Sequence, residues 1–209
     1  MRLRRLKNCS ILALSFSVSL YATSIDDLKL KVKDGNISAN CDIGICYYKG
    51  KSVRKNLDLA MLYFKRAAIY DDPKARYNIA SIYANKHYRH YNKTKAFDMF
   101  LSLAKEDYPP AQDKVGLAYL YGFVVQKDYS LARKWFEVAY FENNYLQSGC
   151  NLAYIYTYGK GVIVNLGRAR KVAQKGYNNH IPRCIKVYDD FKLYKYKEDK
   201  GFKFGYYAN

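Results

Sequence analysis

Apolar and polar positions recur along this chain with a fixed period. Ile43-Gly44-x-x-Tyr47, Ile79-Ala80-x-x-Tyr83, Val115-Gly116-x-x-Tyr119 and Leu152-Ala153-x-x-Tyr156 align, with the tyrosines 36, 36 and 37 residues apart. Ala60, Ala96, Ala132 and Ala169 keep the same step. Four residues before each alanine stands Asn56, Asn92, Asp128 or Asn165. These residue types begin helices, because their side-chain oxygens accept from free backbone N–H groups. Apolar residues follow each alanine at three and four positions, as in Tyr63-Phe64 and Trp135-Phe136. That spacing is the buried face of a helix.

Each unit therefore reads as helix A, a turn and helix B. Helix B is expected over 57–70, 93–106, 129–143 and 166–177. Helix A carries Gly44, Ala80, Gly116 or Ala153 where a neighbouring helix must approach closely. Gly50, Gly122 and Gly159 end three of the A helices, since glycine admits the positive φ of that position. Val53, Val125 and Val162 follow three residues later and fold the loop back on the core. A single unit cannot bury its apolar face; stacking buries it.

These motifs resemble the Sel1-like repeat, a relative of the tetratricopeptide repeat. Units one and three match A-x-x-x-(L/I/V)-(G/A)-x-x-Y-x-x-G-x-x-V, followed by an N-cap and (K/L)-A-x-x-(W/Y)-(F/Y). Unit four keeps (L/I/V)-(G/A)-x-x-Y-x-x-G-x-x-V, the N-cap and the alanine, with Ser148 first and Val172-Ala173 at the aromatic pair. The resemblance implies an all-α fold: a right-handed α-α superhelix, or solenoid, of about four repeats with a C-terminal capping helix. It also implies protein–protein contact as the function and no shared catalytic residue. The expected division is a partial helix or cap over 23–39, then repeats at about 40–74, 75–110, 111–147 and 148–184. A capping helix with a basic aromatic tail fills 185–209. The last helix is placed at Cys184–Lys197, and the tail after it either frays or covers the solenoid's end.

Two units depart from the pattern. Unit two has Lys86-His87-Tyr88-Arg89-His90-Tyr91 in its turn, without the glycine or the valine. Either this is a solvated turn, or His87, Tyr88, Arg89, His90 and Tyr91 form a specialised contact loop. Unit four weakens in helix B, where Gly176 replaces the expected alanine.

Residues 1–22 stand outside the repeats. Arg2, Arg4, Arg5 and Lys7 precede an uncharged run from Cys9 to Leu20, closed by Ala22. A basic start, a short apolar run and a small residue at the cut make a secretory signal. The run falls short of the roughly 20 apolar residues that span a bilayer. The expected address is periplasmic or secreted, with no membrane span after signal removal.

An oxidising address makes the cysteines informative. Cys41 and Cys46 diverge on one helix and read as free thiols. Cys150 and Cys184 lie nearly one repeat apart, on neighbouring A helices, and are the better disulfide candidate. Cysteine-rich members of the family, some with β-lactamase activity, carry a regular pair per repeat; units two and three here have none. Ser52-x-x-Lys55 and Ser102-x-x-Lys105 fit S-x-x-K, but no S-D-N or K-T-G accompanies them. A β-lactamase-like hydrolase is thus the weakest alternative. The histidines His87, His90 and His180 lack further ligands for a metal. No catalytic set, cofactor motif or metal set stands out.

The formal charge is +18. Without residues 1–22, 32 bases against 18 acids leave +14. That potential favours anionic partners, so an envelope module binding anionic polymers is the alternative to a protein-binding scaffold. The 24 tyrosines fall largely at core positions of the repeat, which argues against a stacking surface for nucleic acid.

Overall fold

A computed structural model describes residues 24–201. The expected signal segment, residues 1–22, and the tail 202–209 lie outside the described residues. Within them the chain is all-helical. Helix α1 (Ile25–Lys33) is followed by the A helices α2 (Ala39–Lys49), α4 (Pro73–Tyr83), α6 (Pro109–Tyr121), α8 (Leu146–Tyr158) and α10 (Pro182–Asp190). The B helices are α3 (Leu57–Ala68), α5 (Lys93–Lys105), α7 (Tyr129–Glu137) and α9 (Leu166–Asn178). Each helix packs on its neighbours in sequence, and A helices also meet directly, as α8 meets α10. The result is a solenoid, with a core running along its length.

Local chemistry sets the helix ends. Asn56, Asn92, Asp128 and Asn165 each accept from backbone N–H groups of the helix they open. Ser24 and Asp27 close a reciprocal capping box on α1. Gly50, Gly122 and Gly159 take φ of 73°, 74° and 63° after α2, α6 and α8. One contact recurs in all four units. The N-cap backbone N–H of Asn56, Asn92, Asp128 and Asn165 donates to the carbonyl of Tyr47, Tyr83, Tyr119 and Tyr156, at 3.0, 2.9, 3.0 and 3.0 Å. This bond closes the A-to-B turn, even in unit two, where glycine and valine are missing.

The turns from B back to A follow a second rule. Asp71, Asp107, Asn144 and His180 adopt φ of 56°, 58°, 52° and 55°, a left-handed conformation that Asp, Asn and His enter more readily than most residues. Pro73, Pro109 and Pro182 then start α4, α6 and α10; a first-turn proline leaves no useful donor unmatched. His180 therefore has a backbone role in a turn.

Unit three contains a π-helical turn, Val138–Glu142, after α7. The expected uninterrupted helix over 129–143 is corrected accordingly. The π turn holds one more residue per turn than an α-helix would. It accounts for the single spacing of 37 among spacings of 36.

The last helix also differs from expectation. It runs from Pro182 to Asp190, not from Cys184 to Lys197. Pro182 fixes its start, and Lys192 at φ 48° stops the chain from continuing. A short 3-10 turn, Leu193–Lys195, then buries Leu193. A boundary at 184/185 would cut through this helix.

Candidate functional site

The repeat positions build the scaffold first. Ala60, Ala80, Ala96, Ala132, Ala153 and Ala169 are buried. A Cβ on Gly44 would lie 2.5 Å from the Phe64 ring, and one on Gly116 would lie 2.6 Å from Phe136. The close neighbour of helix A is thus the aromatic residue of helix B in the same unit. Tyr47, Tyr83 and Tyr119 are half-buried and Tyr156 is fully buried. Tyr47 stacks on Tyr63 with centroids 5.7 Å apart.

Cys150 of α8 and Cys184 of α10 are joined by a disulfide, with Cα atoms 4.7 Å apart. Gly176 of α9 lies against both sulfurs: a Cβ there would meet Cys184 Sγ first and Cys150 Sγ at 3.2 Å. Gly176 is therefore no weakness of unit four, because an alanine would fill the space the bridge occupies. Cys41 and Cys46 are free. Cys41 is buried, and burial pushes its thiol up to about 11. A thiol held neutral at physiological pH is a poor nucleophile.

Unit two's turn is only partly a free surface. His87, Arg89, His90 and Tyr91 are exposed. Tyr88 is buried and joins a core cluster with Ala60, Met61, Phe64 and Ile82. Its ring meets Tyr83 edge-on at 6.1 Å. One aromatic residue thereby replaces the glycine-and-valine device of the other units, and Tyr88 is removed from any contact loop. Arg89 pairs with Asp58 of α3 across 3.2 Å in an exposed setting, where such pairs contribute little.

Buried polar groups tie successive A helices together. Asp113 of α6 accepts from Ser148 Oγ at 2.7 Å and Asn151 Nδ2 at 2.6 Å, both on α8. Burial raises its carboxyl above the usual carboxylate range, against the pull of those two donors. Glu137 is likewise raised by burial, against the charge of Arg133. It accepts from Arg133 Nη1 at 3.0 Å and Tyr156 OH at 3.2 Å. These carboxylates are fixed inside the stack, bonded to scaffold partners.

The A helices share a second, exposed feature. Arg183 of α10 donates to Tyr121 OH of α6 at 3.0 Å. The same guanidinium lies 5.7 Å from the ring centroid of Tyr154 on α8. Tyr154 packs on Tyr158 at 4.6 Å, and Tyr158 on Phe191 at 4.9 Å. The side chains of α6 and α10 thus meet over α8, on the face that the A helices present. None of these residues was singled out from sequence. Tyr121 and Tyr158 each stand two residues after a repeat tyrosine, a register in which they could have been found.

Known proteins share this architecture. The Sel1 repeat pattern matches residues 37–69, 109–140 and 150–178. It passes over unit two, whose helices nevertheless keep step. Human protein sel-1 homolog 2 is 30% identical over 140 residues, covering 63% of this chain and 20% of that protein. The mouse homolog is 28% identical over 135 residues, covering 61% and 20%. This chain thus matches about a fifth of the length of those relatives.

Among solved structures, a protective antigen of uropathogenic Escherichia coli with an SLR fold superposes at TM-score 0.61 and 26% identity. It covers 74% of this chain and 33% of its own. A Sel1 repeat protein from Oxalobacter formigenes superposes at 0.67 and 19% identity, covering 85% and 73%. The fold is that of an α-solenoid repeat scaffold. The chain belongs to the Sel1 repeat family. Such repeats generally mediate protein–protein interaction. Among the described residues no helix is long and apolar enough to cross a membrane.

Proposed function

We propose that this protein is a periplasmic or secreted scaffold that binds a protein partner on its A-helix face. The address rests on residues 1–22, which read as a signal segment. The carrying observation is the contact of Arg183 with Tyr121 across α8, on an A-helix face lined with tyrosine and arginine, the face that a superhelix of stacked repeats makes concave. Those residue types dominate binding energy at interfaces. A repeat solenoid offers such a face as a preformed surface, so little ordering is needed on binding.

The test is capture from envelope extract by the mature chain 23–209, beside a Tyr158→Ala/Arg183→Ala variant. One protein retained at about 0.5 M salt, where exposed pairs are strongly screened, and lost by the variant supports the reading. Retention by both would refute it. A second reading is favoured by the net charge: a basic module for anionic envelope polymers. It requires binding that falls steeply with salt, because counterion release would drive it.

A further inference from the structure

A half-open apolar pocket of about 390 Å³ lies where units two and three meet. Its floor includes Phe97 of α5 and Leu117 of α6, and Phe123 and Val124 form one lip. Lys86, Lys93 and Lys114 line it from three different elements: the unit-two turn, α5 and α6. No aspartate or glutamate is among the lining residues. Among the described residues, none of these three lysines forms an ion pair. The pocket is apolar within and cationic at its edge.

The lip is unusual. Val124 has φ of 71° and is 36% exposed, and its neighbour Phe123 is 61% exposed. Units one and four place Ser52 at φ 63° and Gly161 at φ 67° in the matching turn position. A β-branched residue is poorly suited to that region. Its side chain does not repay the strain by filling the core, because it faces solvent. Unit three therefore holds an apolar lip in a strained turn, and strain of this kind clusters at ligand clamps.

The geometry points to this pocket as the seat of an acidic partner segment, which inserts an aromatic or aliphatic side chain while its carboxylates meet the three lysines. The assignment rests on the scaffold reading and adds the partner's chemistry. A second copy of this chain is the wrong occupant, since each copy carries +14 without residues 1–22 and like charges repel across an interface. An acidic segment gains steering from the same field. Displaced water and apolar burial then hold the anchor.

The probe is a fluorescein-labelled synthetic peptide with a Phe and a Leu flanked by glutamates, followed by anisotropy against the purified protein. The expected result is saturable binding, weakened about tenfold when the peptide's Phe and Leu become Ala, and about tenfold by Lys86→Glu/Lys93→Glu. Lys175→Glu, exposed on α9 and outside the pocket lining, should leave it unchanged. Val124→Gly should weaken the peptide while raising the melting temperature, which separates a lost contact from a lost fold.

Three results would overturn the assignment. Equal affinity for the anchorless peptide would make the surface a plain polyanion binder. No peptide binding, with myristate displacing a bound apolar dye, would make it a pocket for a small amphiphile. Binding abolished by Tyr158→Ala and untouched by Lys86→Glu/Lys93→Glu would place the peptide on the concave face. In that last case the scaffold reading survives and the pocket assignment alone fails.

Discussion

Gly176 faces Cys184 so closely that a Cβ on the glycine would overlap the sulfur. The glycine and the Cys150–Cys184 bridge form one device, because α9 must let the disulfide of α8 and α10 pass against its backbone. Gly176→Ala is expected either to break the bridge or to push α10 off the stack. The bridge closes a segment between residues 34 apart, and cross-linking a loop of that size is worth roughly 4 kcal/mol by chain entropy. Thiol counts after denaturation and the urea midpoint check this. Wild-type thiol count and stability in Gly176→Ala would refute the coupling.

Tyr88 carries the unit-two turn. Its burial among Ala60, Met61 and Phe64 makes Tyr88→Ala a core truncation, expected to cost about 2–4 kcal/mol. His87→Ala and His90→Ala, both exposed, should stay within about 0.5 kcal/mol. Thermal unfolding of the three variants decides the matter. Similar small effects from all three would return Tyr88 to the surface.

That turn marks the limit of what the sequence displayed. The helical register was legible because Tyr47, Tyr83, Tyr119 and Tyr156 repeat beside their N-caps, and periodicity is a local signal. The role of Tyr88 was not, because the cluster it joins includes Ala60, Met61 and Phe64 of α3, more than 20 residues upstream. The π turn was present only as one extra residue in the spacing. Arg183 and Tyr121 are 62 residues apart, and only the stacking of α6, α8 and α10 brings them together. The recurring bond from N-cap to tyrosine carbonyl explains why unit two kept the register after losing its consensus residues: it uses backbone groups, which every sequence supplies.

Gly44 and Phe64 show size matching within a unit. The equivalent pairs are Ala80 with Phe100, Gly116 with Phe136, and Ala153 with Ala173. Gly44→Ala would drive a methyl into the Phe64 ring, and overpacking of this kind costs about 1–3 kcal/mol. Adding Phe64→Leu should recover part of the loss, giving a coupling of at least about 0.5 kcal/mol in a double-mutant cycle. Additive effects would show that the ring is not what excludes the methyl.

Asp113 gives the stack a pH dependence of predictable sign. Burial raises its carboxyl above the ordinary value of 3.8, so the folded state holds this proton more tightly than the unfolded chain. A raised pKa contributes stability at low pH, and that contribution is lost as pH rises through the folded-state value. Asp113→Asn keeps an oxygen to accept from Ser148 and Asn151 and carries no charge to bury. The variant should therefore gain on the wild type as pH rises above about 4, by roughly 1.4 kcal/mol for each tenfold by which folding tightens the proton on Asp113. Urea midpoints of both proteins at pH 4 and pH 8 measure this. Wild type gaining on the variant at the higher pH would show that the Ser148 and Asn151 donors, not burial, set the charge state of Asp113.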